Sequence, residues 1–178
     1  MNFAMSFLND CISKGPTVAE LLIVETKNQD LAKASRSPFI QAVLEIDDSI
    51  LEVQSSPIDK VLNDTEVKSI ISSLGAGFVL VPGQNLLGLE NLRYGEIIIV
   101  TEPTNEGRHV MKQVLSFMHK YMNPVMSAGH VYVVPSQDWS SMMPEEFEAK
   151  VMTLETREIV QIPGDWTIEE ILDSLEDL

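Results

Sequence analysis

Residues 96–134 read EIIIVTEPTNEGRHVMKQVLSFMHKYMNPVMSAGHVYVV. Residues 96–101 form the most strand-like run of the chain, apolar and rich in isoleucine, as a strand buried on both faces would be. A polar loop follows, Glu102-Pro103-Thr104-Asn105-Glu106-Gly107. Over residues 107–122, Val110, Val114, Phe117, Met118 and Met122 recur close to helical spacing, which predicts a helix that Pro124 bends or interrupts. Residues 130–134, HVYVV, read as a second strand. Strand, crossover helix and strand in this order make the unit of a parallel sheet.

The same alternation extends outward. Residues 19–25, AELLIVE, are a short apolar run ending in a carboxylate and predict another buried parallel strand. Residues 27–36 read as a weak helix or loop. Residues 41–46 and 49–53 are strand-like, with Asp47-Asp48 as a turn or bulge between them. Asp64 can cap a helix running to Leu74, with Val67, Ile70, Ile71 and Leu74 on one face, and Gly75 and Gly77 stop it. Residues 78–93 read as loop. From residue 144 the chain predicts short helices: PEEFEAKVM, LETREIV and TIEEILDSLEDL. In the last of these Ile168, Ile171, Leu172 and Leu175 make an apolar stripe among acids, for docking on its own domain or in a partner's groove. Strands alternating with helices imply an α/β fold with a mainly parallel sheet flanked by helices. Chemistry in such sheets sits at the carboxyl ends of the strands, where Glu25 and Glu102 both fall, so the pattern points to one acidic pocket.

Composition narrows the function classes. At 178 residues with 44% hydrophobic content, one domain or one domain with a short appendage is expected. A net charge of −15 disfavours direct DNA binding, which depends on Lys and Arg displacing counterions, and favours a basic protein partner or simply solubility. Cys11 is the only cysteine, which fits a reducing cytoplasm. The start, MNFAMSFLNDCISKG, lacks the pattern of a signal peptide, and no run approaches the ~20 apolar residues of a membrane span. His109, His119 and His130 lack metal-ligand spacing, and Met111, Met118, Met122 and Met126 read as core by default, with an adaptable contact face as the alternative.

Four blocks in order resemble the TOPRIM and tail regions of the type IIA topoisomerase B subunit, of the gyrase B or topoisomerase IV kind. They are FLNDCISKGPTVAELLIVE; IDKVLNDTEVKSIISSLGAGF with Leu92-Arg93-Tyr94; residues 96–134; and MMPEEFEAKVMTLETREIVQI. The resemblance implies a TOPRIM (Rossmann-like) α/β domain over residues 19–134. Residues 1–18 would form a lead-in segment, and residues 135–178 a helical tail like that of gyrase B. In the family, a strand ends in a D-x-D-x-D-G cluster that holds Mg²⁺. Here Glu102, Thr104 and Glu106 stand at those positions. Glu25 stands where the family keeps its acid/base and metal-binding glutamate. Thr26-Lys27-Asn28-Gln29-Asp30-Leu31 replaces the family's glycine-rich loop, with Lys27 and Leu31 adding bulk. The family's basic P-L-R-G-K-I-L-N-V stretch becomes Glu45-Ile46-Asp47-Asp48-Ser49-Ile50-Leu51-Glu52-Val53. Its Y-K-G-L-G-E loop becomes Ser136-Gln137-Asp138-Trp139-Ser140-Ser141.

These departures imply a catalytically defective TOPRIM protein in which Glu25, Glu102, Thr104 and Glu106 are vestigial. No cofactor is required on this reading, and any residual Mg²⁺ site would be built from Glu25, Glu102 and Glu106. The implied partner is a type IIA topoisomerase, at its gyrase-A-like subunit or its DNA channel, met through Asp47, Asp48, Glu52, Asp138 and Trp139. The effect on that enzyme would be inhibition or modulation, with an acidic face acting as a DNA mimic. Two alternatives stand beside it: a divergent Mg²⁺-dependent subunit of a split topoisomerase, and a structural partner in a replication or phage assembly. Self-association is not legible in the sequence.

Overall fold

A computed structural model of the chain describes residues 19–76, 89–135 and 137–176. The lead-in segment 1–18 with Cys11, Gly77 and loop residues 78–88 lie outside the described residues.

The central strands form as expected. Strand β1 (Glu20–Glu25) and strand β3 (Glu96–Val100) pair in parallel, Glu20 opposite Glu96 through Val24 opposite Val100. Strand β2 (Gln41–Ile46) lies parallel to β1 on its other side, and β4 (Val131–Val133) lies parallel to β3. A short β5 (Val160–Gln161) closes the edge antiparallel to β4, giving the order β2-β1-β3-β4-β5. Burial on both faces explains the unbroken apolar runs: Leu21, Ile23, Ile97 and Ile99 face one core, and Leu22, Val24, Ile98 and Val100 face the other.

Helix α1 (Gln29–Ser35) follows a single 3₁₀ turn at Thr26–Asn28. Helix α2 (Ile58–Asn63) leads into α3 (Thr65–Leu74). Asp64 caps α3 by accepting the Val67 N–H at 3.0 Å, and Gly75 ends it at φ +75°, where a side chain would be strained. Helix α4 (Asn105–Tyr121) crosses from β3 towards β4. Pro124 lies in the first turn of α5 (Asn123–Ser127), where its missing N–H costs nothing. Helix α6 (Pro144–Phe147) runs on into a π turn at Glu148–Met152, and α7 (Ile168–Glu176) packs against α4 with Ile171 buried. The four methionines of the central region are buried, as expected. No helix among the described residues is long and apolar enough to cross a membrane.

Two expected elements are different. Residues 49–53 are not a strand. The Asp47 carboxylate accepts the Ser49 N–H at 3.0 Å, and the Asp47 carbonyl accepts the Ile50 N–H, so the chain turns instead of pairing. Ile50 and Val53 still reach the core, while the buried Gln113 side chain accepts the Val53 N–H at 2.8 Å. Residues 154–160 are not a helix either. One turn at Thr153 carries the chain round to Arg157, whose side chain pairs with Glu20 and Glu96 at the amino ends of β1 and β3, and Val160–Gln161 beyond it form β5.

Candidate functional site

Glu25 and Glu102 leave the carboxyl ends of β1 and β3 side by side, and both are buried. Glu25 Oε2 accepts the Glu102 backbone N–H at 2.6 Å. Into this pair comes the ammonium of Lys27, folded back by the 3₁₀ turn that follows β1. Its Nζ lies 2.7 Å from Glu102 Oε2, 3.5 Å from Glu25 Oε1 and 3.4 Å from Thr104 Oγ1. An ammonium has three donors, and here three oxygens surround it.

The electrostatics follow from that arrangement. Burial raises the Glu25 carboxyl above its ordinary range, opposed by the Glu102 N–H and by the charge of Lys27. The hydrogen bond to Glu102, with the charge of Glu25, raises the Lys27 ammonium above its own range. A carboxyl whose folded value is raised supports the fold most fully below its unfolded value, and that support fades as pH rises through the folded value. Lys27 limits the loss. Lys27→Met is therefore expected to leave stability unchanged in acid below about pH 4.5, the ordinary glutamate value. Near neutrality it is expected to lower stability by about 1 kcal/mol, since the ammonium is half in solvent and screened. Urea unfolding at both pH values, in chelator, checks the sign; an equal loss at both would remove this account.

Thr104 has a second duty. Its hydroxyl accepts the Gly107 N–H at 3.1 Å and so caps α4, which starts at Asn105 rather than at 107 as expected. Gly107 itself must be glycine, because a Cβ there would lie 2.3 Å from the Glu102 carbonyl oxygen and 3.0 Å from Glu25 Oε2. Glu106 is exposed in the first turn of α4, a position the helix dipole favours without any ligand.

A cleft of about 480 Å³ opens in front of this cluster, lined by Glu25, Thr26, Lys27, Ile46, Asp47, Asp48, Glu106 and Val110. It brings together Glu25, Glu106, Asp47 and Asp48, with Glu102 behind Lys27. Asp47 and Asp48 are exposed, as are Glu52 and Asp138, which do not line the cleft. The Ser140 hydroxyl and N–H hold Asp138 below the usual carboxylate range, and the charge of Lys27 adds to this.

Trp139, expected among the partner contacts, is instead buried. It is 1% exposed, packed edge to face on Phe147 at 5.2 Å, with its indole N–H donating to the Thr101 carbonyl at 3.1 Å. Its ring fills the core beneath the loop and is not available to a partner.

The oxygens that a divalent cation would need are therefore arranged around an ammonium. Mg²⁺ demands six oxygens near ~2.1 Å in octahedral geometry and cannot share that point with a lysine. Among the described residues no group of three or more His, Cys, Asp or Glu is placed to hold a metal. Glu25, Glu102 and Lys27 as they stand do not fit the ion. In the sequence Lys27 reads only as bulk, and its place two positions after a strand-end glutamate is the signal for its role as a counter-ion.

Residues 20–135 match the family model described as the Toprim domain. The chain is 38% identical over 127 residues to the novobiocin-sensitive B subunit of DNA gyrase from Streptomyces niveus, covering 71% of this chain and 18% of that protein. It is 37% identical over 127 residues to the DNA gyrase B subunit of Thermus thermophilus, covering 71% and 20%. With the DNA gyrase B subunit of Halalkalibacterium halodurans the match is 31% over 171 residues, covering 96% of this chain and 24% of the relative. The chain thus spans about a fifth of the length of these relatives.

Proposed function

This chain belongs to the Toprim domain family, of the kind found in the B subunit of DNA gyrase, and from that premise we propose that it is a binding module without phosphoryl-transfer chemistry of its own. It docks on a type IIA topoisomerase in the cytoplasm, at the A-type subunit or in the DNA channel, and inhibits or modulates that enzyme. The observation that carries the reading is the Lys27 ammonium held 2.7 Å from Glu102 between the two strand-end glutamates. A cation covalently part of the chain can neutralise the carboxylates, but it cannot bridge attacking and leaving oxygens of a phosphodiester as paired metal ions do.

The surface supports binding to a basic partner. Asp47 and Asp48 are exposed in the lining of the cleft, Glu52 is exposed as well, and the chain carries a net charge of −15. Facing a phosphate backbone, such a surface is repelled. Facing the Lys and Arg of a DNA channel, it is steered in at a rate that salt suppresses.

Pull-down with purified gyrase A and gyrase B, followed by a supercoiling assay, tests this. Binding to gyrase A with loss of supercoiling is expected, and the triple variant Asp47→Lys, Asp48→Lys, Glu52→Lys should weaken it by about tenfold or more at low salt. Mg²⁺-dependent DNA cleavage by this chain together with gyrase A would replace the reading with that of a divergent partner in a split topoisomerase. Binding to neither protein would end it.

A further inference from the structure

We infer that Lys27 is a tethered counter-ion standing in for a divalent cation, and that the chain keeps a latent divalent-cation site of Glu25, Glu102 and Thr104 which opens when that ammonium is removed. The inference rests on the non-catalytic reading of this cluster but needs no partner, so failure to bind a topoisomerase leaves it standing.

Two carboxylates buried side by side cannot both stay ionised without a nearby positive charge. The side chains of Glu25 and Glu102 are only 5% and 8% exposed, and the charge they face is Lys27. Its ammonium reaches Glu102 Oε2, Glu25 Oε1 and Thr104 Oγ1 from one point. These are hard oxygen donors of the type that Mg²⁺, Mn²⁺ and Ca²⁺ take.

A second observation points the same way. Glu102 Oε1 is buried without a hydrogen-bond partner. A single ammonium engages one oxygen of this carboxylate and leaves the other unsatisfied, whereas a metal can take both. The cluster also keeps one negative charge in excess, two carboxylates against one ammonium, which a divalent ion would cancel.

Tethering explains why the lysine prevails over free ions. A group held two residues from Glu25 acts at a high effective concentration, without the translational entropy that a free ion loses on binding. Its stem is 45% exposed along the rim, so the position tolerates other side chains.

Mn²⁺ is the probe, read by titration calorimetry and by paramagnetic broadening of backbone amide signals in the full chain. The wild-type chain should show no saturable binding and no broadening centred on residues 25 and 102. Lys27→Ala and Lys27→Gln should each gain one site with a dissociation constant of roughly 10⁻⁴–10⁻³ M, the range of weak oxygen-ligand sites. Mn²⁺ should raise the melting temperature of these variants and not that of the wild type. Adding Glu102→Gln should weaken the gained site by about tenfold or more, by loss of an ionised ligand. Saturable binding at these residues in the wild-type chain, which needs no variant to fold, would overturn the inference. So would folded Lys27→Ala and Lys27→Gln chains that bind no more Mn²⁺ than the wild type.

Discussion

Replacing Arg157 with alanine is expected to remove about 3–5 kcal/mol of stability, the usual consequence of leaving one member of a buried ion pair without its partner. The guanidinium lies beneath the amino ends of β1 and β3, 7% exposed, 2.8 Å from Glu20 and bonded also to Glu96. Glu20 is itself 2% exposed, and its other oxygen accepts from Gln41, which donates in turn to the Met152 carbonyl. Burial works against the charge on Arg157, and the two carboxylates outweigh it and hold the group above its ordinary range. Removing the cation strands Glu20 in the interior. A urea midpoint well below that of the wild type is the expected reading, with part of the loss recovered in Arg157→Ala with Glu20→Gln. Lysine should not substitute, because one ammonium cannot reproduce the fork that spans both acids. A shift no larger than that of an exposed pair, below about 1 kcal/mol, would show the network to be ornamental.

Trp139→Ala should be comparably damaging, at about 3–5 kcal/mol for a fully buried aromatic ring. The ring lies between Phe147 and the carboxyl ends of β1 and β3, among Val24, Val100 and Val134. Its deletion leaves a cavity and also removes the donor of the Thr101 carbonyl. Trp139→Phe should retain most of the packing and lose about 1 kcal/mol with that hydrogen bond. Fluorescence separates the cases, because Trp166 is 37% exposed and Trp139 supplies the shielded emission. A Trp139→Ala chain that unfolds at the wild-type midpoint would contradict this placement of the ring. Any loss of partner binding in that variant is expected to follow the unfolded fraction and not a missing contact.

The central sheet was legible because burial on both faces leaves continuous apolar runs, and Glu20–Glu25 and Glu96–Val100 are such runs. Helix Thr65–Leu74 was legible because its cap, its apolar face and its glycine stop agree. Residues 49–53 misled because Ile50 and Val53 are buried as strand residues are, while the acceptor for Val53 comes from Gln113 on a distant helix. The helical reading of 154–160 failed for a similar reason. Arg157 is drawn out of helical continuation by acids 137 and 61 positions away, and no local window holds that information. In the site, Glu25 and Glu102 were visible as strand-end carboxylates. The position of the Lys27 ammonium depends on a 3₁₀ turn and on Thr104 arriving from 77 positions away. Trp139 sits in a polar loop and reads as exposed until Phe147 is seen to pack on it.

The placement of β1 between β2 and β3 sets an order on synthesis. β2 follows β1 closely, with Gln41 bonding Glu20 across 21 positions, but the other side of β1 waits for β3, which does not begin until Glu96. At roughly 5–20 residues per second on a ribosome, that interval lasts several seconds. During it a nascent chain carries Leu21, Leu22, Ile23 and Val24 with one row of backbone groups unpaired, the template on which strands of other chains add. Acids are dense in the residues made meanwhile, Asp47, Asp48, Glu52, Asp59, Asp64 and Glu66 among them. Like charges on neighbouring nascent chains oppose their approach during the interval before β3 covers that edge.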